Sequence, residues 1–260
     1  MIHPSSVIEE GAKIGANVSI GPFCHIGPMV ELADGVELKS HVAIAGHTSV
    51  GEGTRIWPFA SVGHQPQDLK FAGEDTRLEI GARCMIRESV SLNPGTSGGG
   101  GLTKIGDDCL FMLGSHVGHD CTVGDRVVVA NNAALAGHVV VGDDVVIGGL
   151  SGIHQFCKIG RGAMIGAVCM VTADVIPYGT VMGDRADLSG LNLVGLKRRG
   201  ADKTAINGLR AAFGVLFSQD GTLQERIKLV REEFGDNHLT QEIVEFLESE
   251  SSRSFLTPKS

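Results

Sequence analysis

Aliphatic residues recur at every sixth position over most of the chain. From the N-terminus the series runs Ile2, Ile8, Ile14, Ile20, Ile26, Leu32, Leu38, Ile44, Val50, Ile56, Val62. It returns in phase at Ile80, Ile86 and Leu92. It then resumes one residue out of phase as Ile105, Phe111, Val117, Val123, Val129, Leu135, Val141, Ile147, Ile153, Ile159, Ile165 and Val171, with Phe111 the one aromatic member. A period of six fits neither the 3.6 of a helix nor the strict alternation of an ordinary strand. It predicts a mainly β solenoid in which each hexapeptide is a short strand plus a corner, three of them making one triangular coil.

Two segments break the period. Residues 64–77, HQPQDLKFAGEDTR, are polar and turn-forming and read as an extruded loop. A second excursion near 94–104 contains GTSGGGG and shifts the register by one. Long loops on a rigid scaffold often carry binding residues. The glycine stretch reads equally well as a plain surface connection, and no GK[ST] follows to make it a phosphate loop.

The period ends after Val171, and by Asp202 the pattern is helical. Ile206, Leu209, Phe213 and Leu216 share a face, with Gly221 as the stop. Thr222 and Glu225 form a capping box that opens a second helix bearing Ile227, Val230 and Phe234 and ending at Gly235. A third helix is expected from about 241 to 250, followed by a frayed tail, SSRSFLTPKS. The expected division is a solenoid over 1–185 and a small α-helical C-terminal domain over 186–260. The helices would cover one open end of the coil stack.

Composition narrows the possibilities. The 37 glycines among 260 residues, roughly twice the usual share, suit a fold made of corners. A net charge of −8 with 5 % aromatics argues against a nucleic-acid surface. No apolar run approaches the ~18 residues of a membrane span, and Met-Ile-His-Pro lacks the features of a signal peptide. A cytoplasmic location is the expectation. Cys24, Cys84, Cys109, Cys121, Cys157 and Cys169 each fall four residues after a period-marking residue. In a hexapeptide coil that fifth position is inward and small, so all six thiols are expected to fill the core. With no CxxC pair, disulfides, zinc thiolates and a cysteine nucleophile are all disfavoured.

Ten histidines are many for this length. Nine lie in or beside hexapeptides, none at an inward position, and an isolated one such as His25, His41 or His47 reads as a corner residue bonded to its neighbours. The segment 114–155 differs. Residues eighteen apart stack one coil above another, about 4.8 Å apart. His119, Gly137 and Gln155 therefore form one column, and Asp120 and His138 the adjacent one. His116 sits at the preceding corner and His154 flanks Gln155. An imidazole, a carboxylate, an amide and an unshielded glycine N–H converge, the parts needed for base-catalysed acyl transfer. Other readings remain at this point: a metal held by His116, His119 and His138, as in solenoid carbonic anhydrases and hence a zinc hydratase; a non-catalytic scaffold with decorated corners; and a covalent step at Cys121.

These motifs resemble a known family, the UDP-N-acetylglucosamine acyltransferases that open lipid A biosynthesis. The likeness covers nearly the whole chain and rests on QDLKFAGEDTRLEIG (67–81), IRESVSL (86–92), GGGLTKIGD (99–107), HVGHDCTVGDR (116–126), ANNAALAGHV (130–139), HQFCKIG (154–160) and GLKRRG (195–200). A sister acyltransferase with a similar solenoid has an extra N-terminal uridine-binding domain, whereas hexapeptides here begin at Ile2. The resemblance implies a left-handed parallel β-helix and a homotrimer with active sites between subunits. It implies transfer of a 3-hydroxyacyl group from acyl carrier protein to the glucosamine 3-position of UDP-N-acetylglucosamine, with no metal and no other cofactor. Carried over by motif, His119 is the general base, Asp120 its partner and the Gly137 N–H the oxyanion donor. Asp68, Lys70, His116 and His138 would contact sugar and phosphates, and His154, flanking Gln155, would also bind substrate. Gln155 would meet the acyl chain, and Asn192, Arg198 and Arg199 the nucleotide. Ala167 falls where acyl length is limited. Basic residues at a trimer rim could steer the acidic carrier protein, although the KRR run at 197–199 could also be a solvated helix edge. Two positions depart from the family pattern: Asn93-Pro94 stands where a His-Arg pair is expected, and Val194 where Glu is usual. Some members acylate a 3-amino UDP-sugar instead, which stays open here.

Overall fold

The computed structural model describes residues 1–259. The hexapeptides form a left-handed parallel β-helix with three sheets of nine, eight and ten strands. Face one contains the strands at 7–8, 25–26, 43–44, 61–62, 91–92, 116–117, 134–135, 152–153 and 170–171. Face two begins at 13–14 and ends at 158–159, and face three begins at 19–20. Pairing is in register coil upon coil, as in His116 with Ala134 and Ala134 with Gly152. The eighteen-residue spacing is therefore a true spatial neighbourhood.

From Ile20 onward the inward first positions are buried, Phe111 included, and so are all six cysteines, whereas Ile8 and Ile14 of the terminal coil are half-buried and Ile2 is exposed. The fifth position does more than fill space. Cys24 Sγ donates to Lys39 O at 2.9 Å and Cys121 Sγ to Ala136 O at 3.1 Å. Ser151 Oγ makes the same bond to Gly166 O at 2.8 Å. A small side chain with a donor satisfies a carbonyl of the next coil, which apolar fillers leave to other partners.

The extruded loops account for the register. Arg77 pairs with His47, and Leu102 with Arg77. These offsets of 30 and 25 residues exceed one coil by twelve and by seven. Twelve is two whole hexapeptides and preserves the phase; seven is one hexapeptide and one residue, and moves it.

The third sheet ends in an antiparallel pair, Gly179–Met182 with Asp187–Leu191. Four helices follow: α1 (Leu193–Arg198), α2 (Lys203–Leu216), α3 (Leu223–Phe234) and α4 (His238–Glu248). The capping box of Thr222 and Glu225 opens α3 as expected. Three expectations need correction. Helix α2 stops at Leu216 rather than running on to Gly221, whose φ of 66° belongs to the connection. Helix α4 begins at His238, not near 241, because the Asn237 side chain accepts from Leu239 N. The tail is docked, not frayed: Asp174 N donates to Ser254 O at 2.8 Å, Leu256 N donates to Asp174 O at 2.7 Å, and Leu256 packs on the core. Helices and coils share a second apolar cluster around Tyr178, Leu196, Leu209, Val230 and Ile243. Tyr178 Oη donates to Glu242 Oε2 of α4 at 2.7 Å. No helix among the described residues is long and apolar enough to cross a membrane.

Candidate active site

The corner between faces one and two holds the histidine-rich motifs. Its fourth positions adopt the left-handed conformation, with φ of 59° at Asp120, 62° at His138 and 65° at Phe156. Asp and His are among the non-glycine residues that tolerate it.

The expected columns are present. His138 N donates to His119 O at 2.9 Å, and Phe156 N donates to Gly137 O at 3.3 Å. His119 Nδ1 lies 2.7 Å from Asp120 Oδ2, and His138 Nε2 lies 3.8 Å from the same oxygen. The Asp120 side chain is wholly buried, whereas that of His119 keeps 14 % exposure. The carboxylate lies against Nδ1 and fixes the ring, leaving Nε2 to exchange a proton with a ligand.

Gly137 completes the arrangement. A Cβ there would come within 2.6 Å of His119 Cε1 and Nε2, so only glycine lets the imidazole rest on the next coil. Among the described residues, no protein acceptor meets the Gly137 N–H. The fold shows what such an N–H can hold. At the corner between faces two and three, the equivalent N–H groups of Ala16, Ala82, Asp107 and Asp125 each donate to an aspartate carboxylate from the next coil, at 2.8–3.0 Å. In the His119 column the next coil offers Gln155, whose side chain does not reach back. A donor of the kind that binds anionic oxygen elsewhere in the fold is open beside the His119 ring.

His116 Nδ1 is 2.7 Å from Ser91 Oγ. Burial lowers the pKa of His116, with a smaller push from His119, and burial likewise lowers that of His138. Both rings are therefore neutral near pH 7. Asp68, on the extruded loop, lies close enough to His138 to act on its charge, and its Oδ1 accepts from Lys70 N at 3.0 Å. Burial pushes the Cys121 thiol up to about 12. Its sulfur points into the core, so the covalent reading is set aside.

Other expected residues stand elsewhere in this one chain. Asn192 caps α1, accepting from Gly195 N, and its Nδ2 donates to Gly162 O at 3.0 Å, at the corner between faces two and three. Arg199 lies over Gly162 at that corner, and Arg198 is exposed. Ala167 is exposed at the third corner, between faces three and one. Val194 is exposed on α1. Asn93 is buried and donates to His64 O at 3.1 Å, tying down the base of the first loop.

Several residues escaped the periodic reading. Phe156 stacks on His138 with ring centroids 4.4 Å apart and planes 7° apart. The same spacing of eighteen from His138 would have found it. Thr103 Oγ1 accepts from Asp120 N at 2.8 Å, and Thr96 bonds both carboxylate oxygens. Arg253 of the docked tail donates through Nη2 to His154 Nδ1 at 2.9 Å and through Nε to Gln155 O at 3.2 Å. Neither Thr96 nor Arg253 lies in a repeat, so no register pointed to it.

Comparison with known proteins agrees with this site. A family described as bacterial transferase hexapeptide (six repeats) matches residues 102–137, and one described as UDP N-acetylglucosamine O-acyltransferase, domain 2, matches residues 174–256. The acyl-[acyl-carrier-protein]–UDP-N-acetylglucosamine O-acyltransferase of Paracoccus denitrificans is 58 % identical over 203 residues, 78 % of this chain and 77 % of that protein. The protein of the same description from Rhizobium johnstonii is 47 % identical over 257 residues, 99 % of this chain and 94 % of that one. The solved structure of LpxA from Acinetobacter baumannii superposes with a TM-score of 0.92 at 42 % identity, covering 98 % of this chain and 99 % of that one. With relatives this similar along almost its whole length, the chain belongs to the acyl-[acyl-carrier-protein]–UDP-N-acetylglucosamine O-acyltransferase family.

Proposed function

We propose that this protein transfers a 3-hydroxyacyl group from acyl carrier protein to the 3-hydroxyl of the glucosamine in UDP-N-acetylglucosamine, the first step of lipid A biosynthesis. The observation that carries this reading is the His119–Asp120 bond of 2.7 Å beside an unoccupied Gly137 N–H. In the reaction, His119 Nε2 takes the proton of the sugar hydroxyl as its oxygen attacks the thioester carbonyl. The carbonyl oxygen gains negative charge and is met by the Gly137 N–H. Collapse expels the carrier thiolate, which recovers the proton from His119. The Asp120 carboxylate stabilises the transient imidazolium, as the carboxylate of a catalytic triad does. The thioester is already activated, so neither a covalent enzyme intermediate nor a metal is required.

A zinc hydratase is the rival reading, since His119, Asp120 and His138 offer ligand atoms within 4.8 Å of one another. The donor set fits a proton relay better. Asp120 Oδ2 already accepts from Thr96 Oγ1 and His119, and Oδ1 from Thr96 N. A metal would have to displace those donors from a buried carboxylate.

The active assembly is a homotrimer in the cytosol. Its support is the spread of family-matched residues over three corners: His119 on one, Asn192 and Arg199 on the second, Ala167 on the third. A neighbouring copy would bring one chain's second or third corner to another's first. Asp68, Lys70, His116 and His138 then grip sugar and phosphates, His154 and Gln155 meet the acyl chain, and Arg198 and Arg199 hold the diphosphate with planar forks. Incubation with UDP-N-acetylglucosamine or its 3-amino analogue and a ladder of acyl-carrier-protein thioesters, read by product mass, tests the reaction. An ester product is expected, and an amide formed only from the amino sugar would overturn the choice of acceptor. His119→Ala should lower turnover by about 10²–10⁴-fold; full activity in that variant removes the base assignment.

A further inference from the structure

We propose that Thr96, carried by the glycine-rich loop, is a positioning residue that holds the Asp120 carboxylate in the one orientation from which it can serve His119. The proposal rests on the reading of His119 as the base.

Thr96 is itself buried, at 5 % exposure, and uses both of its donors on the same carboxylate. Its N–H reaches Oδ1 at 2.8 Å and its hydroxyl reaches Oδ2 at 2.6 Å. Hydrogen bonds to an ionised oxygen are the strong ones, and two from one residue define a plane as well as a distance. From below, Thr103 Oγ1 accepts the Asp120 N–H. The carboxylate cannot swing away, and Oδ2 remains 2.7 Å from His119 Nδ1.

The glycines explain how the loop gets this close. A methyl on Gly99 would come within 2.1 Å of Asp120 Cγ and 2.3–2.4 Å of both its oxygens. The loop backbone is thus pressed against the carboxylate and closes it off from water. Gly99 N and Gly101 N both turn back to donate to Thr96 O, at 3.0 and 2.8 Å, and Gly100 and Gly101 have positive φ. This folding-back is what a plain connection does not need. Ser97 Oγ further donates to Glu74 Oε1 at 3.0 Å, which fastens the clamp to the other extruded loop, the one bearing Asp68 and Lys70.

The Thr96 hydroxyl also acts on the carboxylate oxygen that faces His119. It shares Oδ2 with the imidazole and draws charge from it, so the protonated ring is held less tightly than by a free carboxylate. Removing the hydroxyl should make His119 more basic and move the acid limb of the rate profile to higher pH. Among the described residues, His116 and His138 also face the dyad, the Cys121 thiol feels the Asp120 charge from the core side, Asp68 lies beyond His138, and Glu74 accepts from Ser97 beside Thr96. None touches Thr96, so a shift caused by this substitution reports on Asp120.

The test compares Thr96→Val, Thr96→Ser and wild type, each alone and with His119→Ala. Loss of one hydrogen bond to a charged group predicts that T96V lowers kcat by about 10- to 100-fold. Its KM for UDP-N-acetylglucosamine should change less than about twofold, because Thr96 is buried and spends both its donors on Asp120. The acid limb of kcat/KM should rise by about half a pH unit or more. T96S restores the hydroxyl and should recover both turnover and profile. In the His119→Ala background T96V should cost nothing further, since Thr96 acts through the base. Wild-type kcat and profile in T96V, T96S as slow as T96V, or an undiminished T96V loss beside His119→Ala would each overturn the proposal. Full activity of His119→Ala alone would instead remove the base reading beneath it. Should T96V not fold, Gly99→Ala must give the same loss and the same shift by pushing the loop off Asp120; wild-type behaviour there overturns the clamp.

Discussion

The imidazole of His119 rests on the bare α-carbon of Gly137, one coil further along the solenoid. A Cβ at 137 would lie 2.6 Å from both Cε1 and Nε2 of the ring, closer than real carbon contacts allow. The glycine thus does two things at once: it seats the His119 ring and keeps an N–H that meets no acceptor among the described residues. Gly137→Ala retains the N–H and moves only the ring. A misplacement of about 1 Å can cost about 10²-fold in rate, and a loss of that order in kcat is expected. Circular dichroism should be unchanged, because the corner φ at 137 is not in the left-handed region. Near-normal turnover would mean that the position of His119 is not critical.

Acid should weaken the fold through two histidines. Burial lowers the pKa of His116 and His138 from the ordinary 6.5. The folded protein therefore binds their protons more weakly than the unfolded chain. Stability is fully present above pH 6.5 and falls as the pH drops from there toward their folded values. His116→Asn, which can keep a hydrogen bond to Ser91, should flatten this part of the profile. Melting temperatures of wild type and variant, followed down from about pH 7.5, will converge in acid if the sign is right.

Arg253 joins the C-terminal tail to His154 and Gln155 at the first corner. A guanidinium can only donate, so its 2.9 Å contact, shorter than the 3.3 Å approach of the same nitrogen to Gln155 O, favours the tautomer in which His154 Nδ1 accepts. Arg253→Ala should leave kcat within about twofold while raising KM for the acyl carrier substrate by about fivefold, the scale of one modest hydrogen bond. Nitrogen NMR of His154 gives a separate readout, since the variant loses the single tautomer. An unaltered KM together with an unaltered tautomer would mean that the contact has no part in binding.

Cys121 is adjacent in sequence to the His119–Asp120 pair and turned away from it. Its Sγ donates inward to Ala136 O, and burial pushes its pKa up to about 12. Thiol-alkylating reagents should leave the folded enzyme active. Cys121→Ala should keep turnover within about threefold and lose about 1 kcal/mol of stability, the worth of one internal hydrogen bond. Rapid inactivation by alkylation, protected by substrate, would contradict this.

The repeat made the first corner readable in advance. His119, Gly137 and Gln155 could be stacked on paper because the coil turns a sequence interval of eighteen into an inter-strand distance. The cysteines could be turned inward by the same rule, although their bonds to the next coil could not be foreseen. The rule loses its grip where the chain leaves the coil. The glycine stretch at 98–101 reads as a connection until its backbone is seen against Asp120. The tail reads as frayed until Asp174 pairs with it on both sides. Asn93 departs from the family pattern, and only its bonds to the carbonyls of His64 and Gln65 show that it anchors a loop.

By itself the sequence determined which side chains point inward, which point outward, and which share a column, because every coil repeats the same backbone and spacing translates directly into position. Only the tertiary structure decided which aperiodic segments return to the site: Thr96 over the carboxylate, Glu74 beneath its loop, Arg253 beside His154. Their places depend on loop closure and on contacts between residues far apart in the chain, and no interval along the chain encodes those contacts.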